Sequence, residues 1–229
     1  MTDPSWTKTS TMDISETQRR PLKSRNTRWA AMVARSLARA GVRPNQISVL
    51  SIVFAAAAGS CFFFVAGAEK SGKILLLLGA AAGIQCRLLC NLFDGMVAIE
   101  GGLRSKAGEI YNELPDRFAD ALILIGAGYC SLWGGISPKL GWAAALLAVI
   151  TAYVRALGVT AGAAQQFCGP MAKPHRMAVL TIASLLSASE VLLNWPLRIV
   201  PIALCLVIIG CLATIFRRTR RIVAELNSK

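Results

Sequence analysis

The chain has 229 residues, of which 55% are hydrophobic, and its formal net charge is +13. This length suits one domain, and so apolar a composition excludes an ordinary soluble protein. The basic residues cluster beside hydrophobic segments, so the expected partners are anionic lipids and phosphorylated substrates, and no nucleic acid. The seven cysteines lie mostly in apolar runs without a C-x-x-C pair, which indicates packing residues rather than disulfides.

The first 26 residues are rich in Thr, Ser, Lys and Arg and lack an apolar centre. This composition predicts a disordered cytosolic arm rather than a signal peptide, followed by a membrane domain over 27–229. Apolar residues then recur at helical spacing from Thr27 to Gly41, with a basic stripe of Arg28, Arg35 and Arg39 beside them. Such a pattern is typical of a basic amphipathic helix in the headgroup region.

Six hydrophobic segments follow, at 45–67, 73–97, 107–132, 139–161, 176–194 and 197–216. Most are long enough to cross about 30 Å of hydrocarbon at about 1.5 Å per residue. The predicted fold is therefore an all-α integral membrane protein with six transmembrane helices after an interfacial helix. Lys and Arg are abundant before the first segment and after the second, fourth and sixth. The positive-inside rule therefore predicts that both termini are cytoplasmic.

Acidic residues outside the N-terminal arm are concentrated at the junction of the second and third segments. Asn91 and Asp94 are three residues apart, so on a helix they share a face. Asn112, Asp116 and Asp120 are spaced by four and stack on one face of the next helix. Carboxylates at bilayer depth are costly unless they face a polar cavity or bind a cation, so they indicate a functional site. Ligands of this kind suit Mg²⁺, Mn²⁺ or Ca²⁺ rather than zinc.

This spacing resembles the motif of the CDP-alcohol phosphotransferases, D-x2-D-G-x2-A-R-x8-G-x3-D-x3-D, which runs across two adjacent transmembrane helices. The chain reads Asn91-x2-Asp94-Gly95-x2-Ala98-Ile99-x8-Gly108-x3-Asn112-x3-Asp116, without an insertion. It departs from the motif at three positions, where asparagine replaces the first and third aspartates and Ile99 replaces the arginine.

A second resemblance lies at the start of the first segment. The run Pro44-Asn45-Gln46-Ile47-Ser48 is similar to the P-N-x-I-T/S that opens the first span in the same family. Pro44 suits the first turn of a helix, and Asn45 or Ser48 is expected to help satisfy the free N–H groups there.

The resemblance implies an enzyme of phospholipid biosynthesis in a bacterial inner membrane. It also implies three partners, which are a CDP-linked lipid donor, an alcohol acceptor and a second copy of the chain. Such an enzyme transfers a phosphatidyl group from a donor such as CDP-diacylglycerol to the alcohol and releases CMP, using Mg²⁺ or Mn²⁺ on the cytoplasmic side. The resemblance assigns the metal to Asn91, Asp94, Asn112 and Asp116, and makes Asp116 the candidate general base.

Substrate contacts are expected at six further positions. Gly95, Ala98 and Gly108 match small residues of the family motif and are expected to let the nucleotide approach the helices closely. The candidate phosphate partners are basic residues on the second segment and in the connection before the fifth: Arg87, Lys173 and Arg176.

The two asparagines remove negative charge from the predicted ligand set. Glu109 or Glu113 can restore that charge, or these acids can be solvated at the membrane interface. Asp120 and Arg117 can pair with other charges inside the bundle. Two other functions stay open, namely a cation or proton transporter that uses the intramembrane acids, and an inactive family member that binds lipid as a scaffold. The absence of an internal repeat argues against transport, and the sequence does not specify the alcohol.

Overall fold

The computed structural model describes residues 27–100, 102, 108–131 and 135–229, so the predicted arm lies outside the described residues. The described chain is helical and contains no strand. Its seven helices are α1 (Arg28–Arg39), α2 (Pro44–Val65), α3 (Lys70–Glu100), α4 (Gly108–Tyr129), α5 (Ser137–Thr160), α6 (Lys173–Leu192) and α7 (Ile199–Asn227). Each predicted hydrophobic segment corresponds to one helix, and α1 is the predicted amphipathic helix.

Helix α1 packs its small residues against α3 and leaves most of its large apolar residues exposed. Ala30 and Ala34 are one turn apart, are fully buried and belong to the same apolar cluster as Met96 of α3. Trp29 and Met32 are 48% and 60% exposed. A helix with exposed apolar and basic side chains on its outer surface suits the interface between headgroups and acyl chains.

Within the described ranges, four helices are long and apolar enough to cross a membrane, namely α2, α3 as far as Ile99, α5 and α7. Helices α4 and α6 have 22 and 20 residues, which is sufficient length, but their charged residues lower their hydropathy. The prediction of transmembrane helices is confirmed for these four helices, and six spans remain a prediction.

Helix α7 extends well beyond the predicted hydrophobic segment, which ended at residue 216. The helix continues to Asn227, because its basic continuation is rich in good helix formers. Arg218 and Ile222 in this continuation are buried against the rest of the protein, so the segment is part of the packed structure.

The six long helices form a closed ring in the order α2, α3, α6, α7, α5, α4, in which each helix packs against two neighbours. Their shared core contains large buried side chains from five of these helices: Phe62, Leu77, Ile123, Leu180 and Leu204. Helices α3 and α4 carry the predicted motif and both flank α2, with few backbone approaches between them. Residues of the motif therefore meet through their polar side chains.

Helices α2 and α4 approach closely where two glycines face each other. A Cβ atom added to Gly126 would lie 2.3 Å from the carbonyl oxygen of Gly59, so neither position has room for a side chain. Small residues allow helices to pack closely in membranes. This contact holds α4 beside α2 and places Asp116, near the start of α4, at the same end of the ring as Ser48, near the start of α2.

Candidate functional site

Four helix ends meet at the candidate site. Asp94 lies near the end of α3, Asp116 near the start of α4, Ser48 near the start of α2, and Lys173 is the first residue of α6. Asp94 and Asp116 are buried, and Asp94 lies close enough to Asp116 and Lys173 for their charges to interact. The structure therefore brings two of the predicted acidic ligands together from different helices.

Ser48 holds the side chain of Asp94 in place. The Ser48 hydroxyl donates a hydrogen bond of 2.9 Å to Oδ2 of Asp94, and it also lies 3.2 Å from the carbonyl oxygen of Pro44. These two acceptor oxygens share the single proton of the Ser48 hydroxyl, so the structure gives this side chain a role in holding Asp94, and its expected help to the free N–H groups at the start of α2 stays a prediction. The Gln46 side chain serves that end of the helix by accepting from the Arg43 N–H at 2.9 Å.

The ammonium of Lys173 lies between two of the predicted metal ligands. It donates to Oδ1 of Asn91 and to Oδ2 of Asp116. The other oxygen of Asp116 is 3.4 Å from Nη2 of Arg87, while the Asn91 amide donates to the Arg87 carbonyl oxygen at 3.2 Å. Asn91 and Asp116 therefore present oxygens to a common point, and in this structure that point holds a cationic side chain.

Asp120 forms a second set of ion pairs, one helical turn after those of Asp116 on α4. Arg87 donates to one of its oxygens at 2.7 Å and Arg176 to the other at 2.5 Å. Nη1 of Arg176 also donates to the Met171 carbonyl at 3.0 Å. Asp120 thus pairs with buried charges, as its expected structural role requires. Arg87 and Arg176, the candidate phosphate partners, each contact a carboxylate of the chain itself.

Both arginines retain unused donors. Nε and Nη1 of Arg87 and Nε of Arg176 are buried without a hydrogen-bond partner within the described part of the chain. A buried donor without a partner is costly, so these atoms suit contact with an oxygen-rich ligand or an internal water.

Glu113 is joined to the acidic cluster through Arg117, whose Nη2 atom also lies 3.9 Å from Oδ2 of Asp116. The side chain of Glu113 is 48% exposed and pairs with Arg117 at 3.1 Å and with Arg155 at 2.6 Å. The guanidinium of Arg155 also lies 5.6 Å from the centre of the Phe167 ring. An exposed carboxylate paired with arginines agrees with the alternative of an interfacial acid, and the role of Glu113 as a replacement ligand stays a prediction.

The remaining predicted residues lie along the same helix ends. Gly95 and Ala98 are half-buried on the last turns of α3, and Gly108 begins α4. Asn112 and Glu109 lie on the first turns of α4, but their side chains are outside the described part of the structure. Their predicted roles as ligand and compensating acid are therefore untested.

The donor chemistry of the site fits a divalent cation. No cluster of three His, Cys, Asp or Glu side chains occurs among the residues the structure describes. Carboxylates of Asp94 and Asp116 and the amide oxygen of Asn91 are nevertheless the oxygen donors that Mg²⁺ and Mn²⁺ prefer. The Lys173 ammonium between two of these oxygens marks a position that favours positive charge.

Sequence reasoning missed the residues that hold the connection before Lys173. Arg218 of α7 donates to the carbonyl oxygens of Thr151 at 2.6 Å and Cys168 at 2.9 Å. Thr214 accepts the Met171 N–H at 3.0 Å. In the sequence Arg218 belongs to a basic run after the last hydrophobic segment, which looks like a determinant of topology alone. Its burial depends on the extension of α7.

Three crystal structures of phosphatidylinositol phosphate synthase (PgsA1) from Mycobacterium tuberculosis are similar to this chain. The one with CDP-DAG bound has a TM-score of 0.68 and 17% identity, and the match covers 86% of this chain and 94% of that chain. The one in complex with manganese and citrate has a TM-score of 0.68 and 18% identity, over 84% and 88%. The apo form has a TM-score of 0.63 and 18% identity, over 82% and 93%.

No protein-family model matches the chain, and no curated protein sequence matches it. At 17–18% identity, the likeness to the synthase shows a shared fold. This shared fold is a finding independent of the motif spacing in the sequence. The particular solved protein that displays it is the mycobacterial phosphatidylinositol phosphate synthase.

Proposed function

We propose that this chain is a membrane-bound CDP-alcohol phosphatidyltransferase that transfers a phosphatidyl group from CDP-diacylglycerol, or a similar CDP-linked lipid, to an alcohol and releases CMP. The main support is the convergence of Asn91, Asp94 and Asp116, which the motif spacing predicted as ligands, at one end of the fold. A solved protein with this fold was crystallised with CDP-DAG and with manganese.

The proposed reaction is a displacement at phosphorus. The oxygen of the acceptor hydroxyl forms a bond with the phosphorus that carries the diacylglycerol. The bond from that phosphorus to the bridging oxygen breaks, and CMP leaves with the electron pair. Asp116 accepts the hydroxyl proton, for which its carboxylate retains lone pairs beyond those used by Lys173 and Arg87.

Asp94, Asp116, Asn91 and Asn112 are proposed to hold Mg²⁺ or Mn²⁺, which when bound would neutralise the pyrophosphate and stabilise the leaving CMP. Ser48 orients Asp94 for this purpose through its hydrogen bond of 2.9 Å. Gly95, Ala98 and Gly108 line the helix ends where a nucleotide can lie against the backbone. The unused donors of Arg87 and Arg176 suit phosphate oxygens that enter the site.

The proposed membrane arrangement has all six long helices crossing the bilayer. Helices α4 and α6 stand in the ring between apolar helices, and three of their acidic residues, Asp116, Asp120 and Glu190, are buried inside it. Beyond the exposed Glu113 near the start of α4, their exposed surfaces include large apolar residues: Leu114, Phe118 and Leu122 on α4, and Ile182, Leu185 and Leu186 on α6. The hydropathy averaged over the whole of α4 or α6 therefore understates how well these exposed surfaces suit contact with lipid. We also propose that the chain forms a homodimer in a bacterial inner membrane. In each chain the cytosolic arm 1–26 would precede the membrane domain.

The direct test is CMP release by the purified protein in detergent. The donor is CDP-diacylglycerol, and the acceptors are glycerol phosphate, inositol phosphate and serine, each with Mg²⁺ or Mn²⁺. We expect CMP with one of these alcohols, its loss with EDTA, and its loss in Asp94→Asn and Asp116→Asn. Folded protein that releases no CMP under any of these conditions would favour the inactive scaffold, and release that persists in EDTA would contradict the proposed mechanism.

A further inference from the structure

We propose that the site uses one divalent metal ion and that the ammonium of Lys173 supplies its second positive centre. This inference rests on the proposed function and concerns how the site neutralises the phosphates of its donor. It is carried by the contacts of Lys173, by the asparagine at position 91 and by the balance of buried charges.

The ammonium of Lys173 is held by hydrogen bonds to two side chains, those of Asn91 and Asp116. Its contacts with Asn91 on α3 and Asp116 on α4 bridge two helices that otherwise approach each other little. The lysine begins α6, and Arg176 fixes that end of the helix through Asp120 and the carbonyl of Met171. Its side chain is only 21% exposed, so it is a positioned cation rather than a free surface group.

The residue at position 91 agrees with a lysine partner. The family motif calls for aspartate there, and this chain has asparagine. An amide oxygen accepts a hydrogen bond from an ammonium well, but without a negative charge it is a weaker ligand for a divalent ion. A second metal ion at this point would depend on Asp116, which already contacts Lys173 and lies 3.4 Å from Arg87.

The buried charges also favour a single ion. Asp94, Asp116 and Asp120 provide three negative charges, and Arg87, Arg176 and Lys173 provide three positive charges within the described site. Arg117 lies 3.9 Å from Asp116 and adds a fourth positive charge, which the exposed Glu113 offsets. One divalent ion then offsets the pyrophosphate of the donor. A second ion would leave uncompensated positive charge at a place of low dielectric, where such charge is costly.

The test counts bound Mn²⁺ by electron paramagnetic resonance of the free ion during titration of the purified full-length chain. We expect one ion per chain in the native protein and in the charge-retaining Lys173→Arg. The double variant Asn91→Asp/Lys173→Met restores the carboxylate of the motif and removes the ammonium, so we expect two ions. Lys139→Met removes an exposed lysine at the start of α5 and should still bind one ion.

Two bound ions in the native chain, or one ion in a folded double variant, would overturn the proposal. If the double variant does not fold, Asn91→Asp alone decides, because it retains Lys173 and is expected to bind one ion. Two ions in that variant would also overturn the proposal. CMP release measured on the same samples of native protein separates the role of Lys173 from the proposed function. Two bound ions with CMP release would remove the role of Lys173 and leave the proposed function intact. One bound ion without CMP release would retain the single metal ion and contradict the proposed function.

Discussion

Asp120 shows at the residue scale how the buried charges depend on each other. Its two oxygens bind Arg87 and Arg176 at 2.7 and 2.5 Å, and all three side chains are buried. Removal of one partner from a buried ion pair typically costs about 3–5 kcal/mol, because the remaining charge has no compensation. We expect Asp120→Ala to lose about this much stability, measured as the free energy of unfolding in detergent.

The matched control for this prediction is Glu113→Ala on the same helix. Glu113 also pairs with two arginines, but it is 48% exposed. Exposed pairs usually contribute less than about 1 kcal/mol, so this variant should unfold close to the native protein. Similar losses in the two variants would contradict the structural role given to Asp120.

Ser48 supports a second prediction at this scale, one that concerns metal affinity. Ser48→Ala removes the hydroxyl that donates to Asp94 at 2.9 Å, so the carboxylate loses its orientation. Loss of such a supporting contact typically weakens metal binding about 10–100-fold. Ser51→Ala is the control, because Ser51 is also buried on α2 but donates within its own helix to the Ser48 carbonyl. A Mn²⁺ titration should separate the variants, and equal affinities would show that Ser48 does not position a ligand.

Spacing along a helix is the part of the site that the sequence predicts well. Asn91 and Asp94 were expected on one face of α3 because they are three residues apart, whereas the resemblance to the family motif joined them to Asp116 on α4. The partners of these residues were harder to predict. Ser48 is 46 residues from Asp94, and Lys173 is 82 residues from Asn91, so their contacts depend on how the helices pack. Lys173 was identified as a cation near phosphate, but its contact with the predicted ligands was not foreseen.

Helix ends, at the element scale, follow burial as well as hydropathy. Hydrophobic runs located each long helix but placed the end of the last one at residue 216, eleven residues before Asn227. Hydropathy cannot detect the extension, because its exposed residues are basic. Its buried residues Arg218 and Ile222 pack against the α5–α6 region, which is distant in sequence.

The contact of α2 with α4 gives a prediction at the element scale. Gly126→Ala places a methyl group 2.3 Å from the Gly59 carbonyl oxygen, so the two helices must separate. Overpacking of this kind costs about 1–3 kcal/mol. Because α4 carries Asp116, we expect a lower midpoint of thermal unfolding together with reduced CMP release.

Gly67→Ala is the control for Gly126→Ala. Gly67 follows α2, and a Cβ atom there has nothing within 4 Å. This variant should match the native protein in both measurements. If Gly126→Ala is equally tolerated, the close contact of the two helices is not required for the fold.

The whole molecule concentrates its polar chemistry at one end of the ring. Ser48, Asp94, Asp116 and Lys173 lie there, and the basic end of α7 reaches the same side through the contacts of Arg218 with Thr151 and Cys168. The opposite end contains the short connection between α2 and α3 and the connection between α6 and α7. The chain therefore has one strongly basic end, which also carries the candidate site.

This asymmetry leads to a prediction about orientation. Lys and Arg next to membrane helices are retained on the cytoplasmic side, so the basic end should face the cytoplasm. Alkaline phosphatase needs disulfides and is active only in an oxidising compartment such as the periplasm. In a bacterial host, phosphatase fused after Lys229 should be inactive, whereas phosphatase fused after Gly67, at the other end of α2, should be active.

Green fluorescent protein fused at the same two positions provides the complementary measurement, since it is expected to fluoresce after Lys229 and not after Gly67. The physical reason is the charge distribution, because Arg217, Arg220 and Arg221 are exposed beyond the apolar part of α7. The reverse pattern would place Asp94 and Asp116 on the outer side of the membrane, away from cytoplasmic nucleotides. In that case a CDP-linked lipid made in the cytoplasmic leaflet could not reach the site, and the proposed transferase activity would have to be abandoned for this chain in the cell.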